Sequence, residues 1–154
     1  MTLHANTVVD DVTLVASSED SLYPIENVQD VNPNRVWRTV VGDTGANIDI
    51  PGANLEADYI AIHNHNMTEL GSTITLMGDD AGDWGSPAFT EVIPWAEHTI
   101  VHPFARGTYD EWRLAITDGS RSYLEMGRLA LGTYITLPPF EPDFDLPKAT
   151  STLQ

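Results

Sequence analysis

The chain has 154 residues, enough for one domain with a single core, and 42% of them are hydrophobic. It carries 23 acidic side chains against 7 lysines and arginines, for a formal net charge of −16. This charge speaks against nucleic acid or an anionic membrane as the partner, because both would repel it. The lack of cysteine excludes disulfides and thiolate metal sites. No apolar run approaches the ~20 residues that span a bilayer, and no secretory signal is predicted.

Apolar and polar residues alternate in many short segments, which predicts an all-β fold. The predicted strands cover residues 8–16, 47–51, 58–67, 72–78, 89–95, 99–104, 111–117 and 123–137. Residues 58–67 are expected to form the central strand, because both of its faces begin apolar. No segment has the apolar stripe of a three-turn helix. The pattern therefore predicts a β-sandwich.

Three local signals mark strand ends and irregularities. Pro51-Gly52 is predicted to stop the second strand, since proline cannot donate to the ladder. Asp118-Gly119-Ser120 has the composition of a hairpin turn. The parity of apolar positions changes at Gly127, which predicts a β-bulge at that residue.

The composition changes after residue 137. Residues 1–137 are predicted to form the β-sandwich domain, and residues 138–154 an extended C-terminal arm, because residues 138–147 contain four prolines. Phe140, Phe144 and Leu146 have no obvious place in the domain's own core. Proline lowers the entropic cost of docking an extended segment. These three side chains are therefore expected to dock on a neighbouring subunit.

The order of several motifs resembles the galactose-binding-like (discoidin) jelly roll. The motifs are Tyr-Pro-Ile-Glu-Asn at 23–27, Arg-Val-Trp-Arg at 35–38, Trp-Arg-Leu-Ala-Ile at 112–116 and Met-Gly-Arg-Leu-Ala-Leu-Gly at 126–132. A strand ending in His63-Asn64 and a final Gly-Arg-Leu-x-Leu-Gly resemble bacteriophage tail proteins of this fold. The resemblance implies a jelly-roll β-sandwich. It also implies a structural virion protein of a phage tail tip or baseplate, made in the host cytoplasm, which would act by packing between subunits and could adhere to the host surface. Its expected partners are other tail proteins and copies of itself. No enzymatic activity is predicted.

Two histidines stand two residues apart at the end of the central strand. In an extended strand His63 and His65 would share a face and could share a metal, with His98 or His102 as a third ligand. The alternative is that they hydrogen-bond loop backbone and close the end of the sandwich. The residues predicted to organise this loop and the closing strand are His63, Asn64, His65, Asn66 and Arg128.

Two acidic loops are candidate Ca²⁺ sites. Asp79, Asp80 and Asp83 offer three carboxylates around a glycine, although the full calcium-loop spacing is missing. The alternative is a solvated hairpin tip. Asp30 and Asn32 form the second candidate, because discoidin-like domains often hold a structural Ca²⁺ in such a loop. No other cofactor is predicted.

Aromatic residues provide the main alternative function. Trp84, Trp95 and Tyr109 could form a stacking platform for sugar rings, or could serve only packing. With such a platform the protein would be a carbohydrate-binding module that recognises a cell-surface glycan. For catalysis, the chain has no Gly-x-Ser-x-Gly motif and no cysteine. A glycan hydrolase would need two carboxylates about 5–10 Å apart across a cleft.

Overall fold

The structure, a computed structural model, describes the backbone of residues 2–136 and the side chains of residues 7–134. In that part of the chain the elements are β-strands, apart from two 3₁₀ helices at Val8–Asp11 and Ile25–Gln29. The strands are β1 (Thr2–Thr7), β2 (Val15–Ala16), β3 (Trp37–Arg38), β4 (Gly45–His65), β5 (Ser72–Asp79), β6 (Phe89–Val92), β7 (Thr99–Asp118) and β8 (Glu125–Thr136). The predicted all-β class is therefore confirmed. None of the described helices has the length and hydrophobicity of a membrane span.

The strands pair antiparallel in the order β1-β8-β4-β7-β5-β6, with β2 added on β4 and β3 on β8. The two longest strands, β4 and β7, run together through the whole domain. The first half of β4 pairs with the part of β7 that also pairs with β5. From Tyr59 onward, β4 pairs with β8 on one edge and stays paired with the beginning of β7 on the other. The β4–β7 pair thus belongs to both layers of a β-sandwich.

One core lies between the two layers. It includes Ile48 from the first half of β4 and Trp112 from the second half of β7. It also includes Ile60 from the second half of β4 and Leu129 from β8. All four side chains are fully buried. Residues 57–62 are buried at every position, so both faces of this stretch are covered, as predicted for the central strand.

Two predicted strand breaks are wrong. Pro51-Gly52 does not end a strand, and β7 is continuous where residues 104 and 111 were expected to bound separate strands. The ladder absorbs the extra residues as bulges, at Pro51/Leu55 and at Ala57/Tyr59. In the first bulge Asn54 takes a left-handed backbone (φ 54°), and its N–H donates to Asp110 Oδ1 at 2.9 Å.

The predicted first strand is also wrong for most of its length. Val8–Asp11 is a 3₁₀ helix, and only Val15–Ala16 pair as a strand. The Gln29 side-chain amide donates to the carbonyls of Val9 and Val12, at 2.6 and 2.8 Å. A distant side chain therefore satisfies carbonyl groups that a strand neighbour would otherwise satisfy.

The β4–β8 register runs without a shift from Tyr59↔Gly132 to His65↔Met126, so the bulge predicted at Gly127 is absent from this pairing. Gly127 has a different role, since a Cβ there would lie 1.9 Å from the Pro33 carbonyl oxygen. The turn at 118–120 forms, with Arg121 N–H donating to Asp118 O. The strands on either side of this turn, β7 and β8, do not pair as a hairpin, because β4 lies between them in the sheet.

The predicted arm, residues 138–154, lies outside the described residues. So do its docking side chains Phe140, Phe144 and Leu146, and their predicted role stays a prediction.

Candidate functional site: a cleft at one end of the sandwich

Three loops meet at one end of the sandwich. Ser72 pairs with Asp118 and His63 with Thr99, so the β4–β5, β6–β7 and β7–β8 connections share this end. Between them lies a cleft of about 310 Å³. Besides residues 67–68, the side chains that line this loop-end cleft are His65, Glu69, Trp95, Glu97, His98 and Arg121. Its volume is at the lower end of the range found for small-molecule sites.

The buried carboxylate of Asp118 holds two of these loops together. Asp118 is fully buried and accepts the N–H groups of Thr68 at 2.6 Å and Ser120 at 2.9 Å. It also accepts the Thr68 hydroxyl. Gly71 lets the loop approach closely, because a Cβ there would lie 2.4 Å from Asp118 Oδ1. The wall of the cleft is therefore ordered by hydrogen bonds to one carboxylate.

Trp95 is the aromatic residue of the cleft. It is partly buried against the core, and its indole N–H donates to the Met67 carbonyl at 3.0 Å. This hydrogen bond fixes the ring on the neighbouring loop. A ring held in this way loses little entropy when a ligand packs against it.

His65 lies in the same cleft as a neutral side chain. Its Nε2 is 3.0 Å from the Ala96 carbonyl, so Nε2 carries the proton and donates it. Burial lowers the pKa of His65 below its ordinary value, which favours the neutral imidazole. Its Nδ1 is then an acceptor, and it is buried without a hydrogen-bond partner among the described residues.

Arg121 differs from the other arginines. All six arginines of the chain lie in the described part. Five of them are paired, as Arg35–Asp30, Arg38–Glu125, Arg106–Asp58, Arg113–Asp49 and Arg128–Asp10. Arg121 is exposed and forms no ion pair with any described residue, although acidic side chains outnumber basic ones threefold. Its guanidinium donors are therefore available to a ligand in the cleft.

The predicted histidine pair is split. His65 lines the loop-end cleft, whereas His63 lines a second depression of about 200 Å³ with Val31, Pro33 and Arg128. Asn64 between them has φ 53°, which interrupts the alternation of an extended strand. The predicted third ligands are also apart, since His102 is 2.9 Å from Glu91 and His98 lies beside Glu97. No three His, Cys, Asp or Glu side chains within the described range could together hold a metal.

The other residues predicted to organise the loop contact backbone groups. Asn64 donates to the Pro33 carbonyl at 2.7 Å. Asn66 donates to the Tyr123 carbonyl and accepts the Glu125 N–H, both at 2.9 Å. These bonds tie the end of β4 to the loop at residue 33 and to the start of β8.

Arg128 on β8 binds the N-terminal third of the chain. Its guanidinium donates to the Gln29 carbonyl and to Asp10 Oδ2, the latter at 2.6 Å. Only 14% of the side chain is exposed. The contacts hold both 3₁₀ helices against the closing strand.

The predicted sugar-stacking residues do not come together. Asp79 pairs with Glu111 and Leu55 with Tyr109, which places the β5–β6 loop and Trp84 at the other end of the sandwich from Trp95. The Arg113 guanidinium carbon is 4.5 Å from the centroid of the Trp84 ring. Tyr109 packs edge-on against Trp112, with centroids 5.0 Å apart.

The carboxylates proposed for Ca²⁺ bind the protein's own groups. Asp79 accepts the N–H groups of Ala81, Asp83 and Ala88 at 2.7–3.1 Å. These bonds, that from Ala81 above all, lower the pKa of Asp79 below its ordinary value. Asp80 Oδ1 accepts the Asp110 N–H.

The second Ca²⁺ candidate is similarly engaged. Asp30 accepts the Asn32 N–H at 2.8 Å and binds the Arg35 guanidinium at 2.9 Å. Asn32 Oδ1 in turn accepts the Asn34 N–H. The loop is a series of Asx turns whose oxygens already have donors.

Sequence reasoning missed Glu69, Glu97, Arg121 and Asp118 as parts of one site. They come from three loops that are distant in the chain, so no spacing pattern relates them. A usable signal was the scarcity of basic residues, because each arginine in so acidic a chain is expected to have a carboxylate partner. Which arginine lacks one depends on the tertiary structure.

No family model matches the chain, and a search of curated proteins finds no match. Solved structures do match. Chitosan-binding module 1 of a chitosanase/glucanase from Paenibacillus sp. IK-5 superposes with a TM-score of 0.66 at 14% identity, covering 84% of this chain and 100% of that chain. A Streptococcus pneumoniae fucose-binding module, SpX-3, gives 0.64 at 18%, covering 85% and 100%.

A third similar structure is CpGH89CBM32-5 from Clostridium perfringens in complex with GalNAc-β-1,3-galactose. Its TM-score is 0.64 at 13% identity, and the match covers 83% of this chain and 100% of that chain. Identities this low show a shared fold alone. The predicted galactose-binding-like jelly roll is therefore confirmed as the fold.

Proposed function

We propose that the protein is a glycan-binding module whose ligand occupies the loop-end cleft. The observation that carries the proposal is the presence, in one cleft of about 310 Å³, of an anchored tryptophan and the arginine that has no ion pair in the described part. A flat indole face suits the apolar face of a sugar ring, and guanidinium N–H groups suit its hydroxyl oxygens. Both types of group thus face the same small volume.

The fold comparisons support this proposal over the phage-tail role. The similar structures are a chitosan-binding module, a fucose-binding module and a module in complex with GalNAc-β-1,3-galactose. They lend no support to a place in a virion or to tail-protein partners. That role, with its arm contacts, stays a prediction. So do the absence of catalysis and the Ca²⁺ sites.

The test compares the two ends of the sandwich. A glycan array with the full chain selects a ligand, and titration calorimetry then measures its affinity for three variants. Trp95→Ala is expected to weaken binding by about 30-fold or more, as loss of a central aromatic anchor does. Trp84→Ala, at the opposite end, should bind like the unmodified protein.

Trp95→Phe separates binding from folding, since it keeps the aromatic surface but loses the hydrogen bond to the Met67 carbonyl. Binding intermediate between the unmodified protein and Trp95→Ala would support the site. The proposal is overturned if no glycan binds, or if Trp84→Ala and not Trp95→Ala abolishes binding.

A further inference from the structure

The loop-end cleft contains more acid than base. Glu69 and Glu97 supply two carboxylates, against the single guanidinium of Arg121. Glu69 makes no hydrogen bond or ion pair with the described residues. Glu97 Oε1 lies 3.4 Å from His98 Nε2, and both side chains are largely exposed. The carboxylates of the cleft therefore outnumber its guanidinium two to one.

The rest of the molecule adds to this negative field. The formal net charge is −16, and Asp118 lies buried directly behind the β4–β5 and β7–β8 loops. Fields from many charges sum over a cleft and raise the local concentration of ligands of opposite sign. One exposed arginine does not reverse this field. A polyanionic glycan would therefore be repelled as it approaches, and a cationic one would be attracted.

From this charge distribution we infer that the cleft prefers a cationic amino sugar, a glycan with free amines, to neutral or acidic sugars. The inference rests on the proposed function and specifies the ligand class of the same cleft. The ammonium group donates to the carboxylates of Glu69 and Glu97, and these charge-assisted hydrogen bonds are stronger than neutral ones. The ring packs on Trp95, and Arg121 donates to ring hydroxyls.

The experiment uses three oligosaccharides of equal length. A glucosamine trimer is cationic, its fully N-acetylated counterpart is neutral, and a uronic acid trimer is anionic. Titration calorimetry with the full chain, at about 50 mM salt and neutral pH, should show the free-amine trimer binding at least about tenfold more tightly than the acetylated one. The uronic acid trimer should bind most weakly. The preference should shrink at about 0.5 M salt, where charges are screened.

Two charge-matched variants locate the effect. Glu69→Gln/Glu97→Gln should reduce the preference for the free amine to about twofold, by weakening the free-amine trimer far more than the acetylated one. Glu26→Gln/Glu56→Gln also removes two negative charges, but from exposed residues outside the cleft. This variant should keep most of the preference for the free-amine trimer.

Each other result is decisive. Equal binding of the free-amine and acetylated trimers, or tightest binding of the uronic acid trimer, overturns the inference and leaves the glycan-binding proposal standing. If none of the trimers binds, the inference fails, and if the glycan array is also blank, the glycan-binding proposal fails with it. An equal loss of preference in the two double variants would mean that the whole molecule, and not the cleft, selects the ligand, which also overturns the inference.

Discussion

At the residue scale, the buried side chain with the largest structural role at the cleft is Asp118. Its carboxylate accepts the N–H groups of Thr68 and Ser120 while fully buried. Asp118→Ala leaves these donors without a partner, and each unsatisfied donor costs about 1–3 kcal/mol. The variant should therefore lose about 2–6 kcal/mol of unfolding free energy, measured by urea denaturation.

Asp83→Ala is the control for this measurement. Asp83 is exposed and accepts a single N–H, that of Gly85 at 3.1 Å. Asp83→Ala should therefore lower the unfolding free energy by less than about 1 kcal/mol. Equal unfolding free energies for the two variants would show that Asp118 does not hold the loops of the cleft.

At the element scale, β8 is packed against the loop at residue 33 with no room for a side chain at Gly127. A Cβ there would meet the Pro33 carbonyl oxygen at 1.9 Å, and both groups are backbone or rigidly attached to it. Gly127→Ala must displace either β8 or the loop. It should lower the unfolding free energy by about 1–3 kcal/mol, as overpacking does. The change is measured by thermal or urea unfolding.

Gly119→Ala tests whether the effect is specific to that contact. A Cβ at Gly119 would have nothing within 4 Å. This substitution should be neutral or stabilise slightly, by less than about 1 kcal/mol, because alanine restricts the unfolded chain. If Gly127→Ala proves as harmless as Gly119→Ala, the close packing of the loop on β8 is refuted.

At the scale of the whole molecule, charge repulsion acts on the folded state. A net charge of −16 opposes compaction, while exposed ion pairs contribute little each. Raising salt from about 10 mM to 0.1 M shortens the Debye length from about 30 Å to about 10 Å. The melting temperature should then rise by about 2–4 °C, which corresponds to ~1 kcal/mol for a chain of this size.

Scanning calorimetry in sodium chloride measures this rise. Glu26→Gln/Glu56→Gln has less charge and should show a smaller response to salt. A melting temperature that falls as salt is added would mean that the arginine–carboxylate pairs outweigh the repulsion, contrary to this prediction.

The all-β class, the central strand and the strand at 72–79 follow from periodicity, which local sequence carries. Periodicity did not correctly predict where strands end at Pro51 or between residues 104 and 111, because the same residue types can either end a strand or form a bulge within it. Neighbouring strands decide between these outcomes. β4 and β7 stay paired on both sides of each irregularity, so the ladder continues.

At the candidate site, too, the sequence determined some features and the tertiary structure decided the others. Sequence by itself determined that the chain is an acidic all-β domain with few basic groups, and it indicated Trp95 as a residue that could contact a glycan. Only the tertiary structure separated Trp95 from Trp84 and Tyr109, and His65 from His63. Only it brought Arg121 to Trp95 without a carboxylate partner. The physical reason is that composition and alternation act locally, whereas a cleft built from three loops depends on which strand ends meet, and strand pairing over long separations decides that.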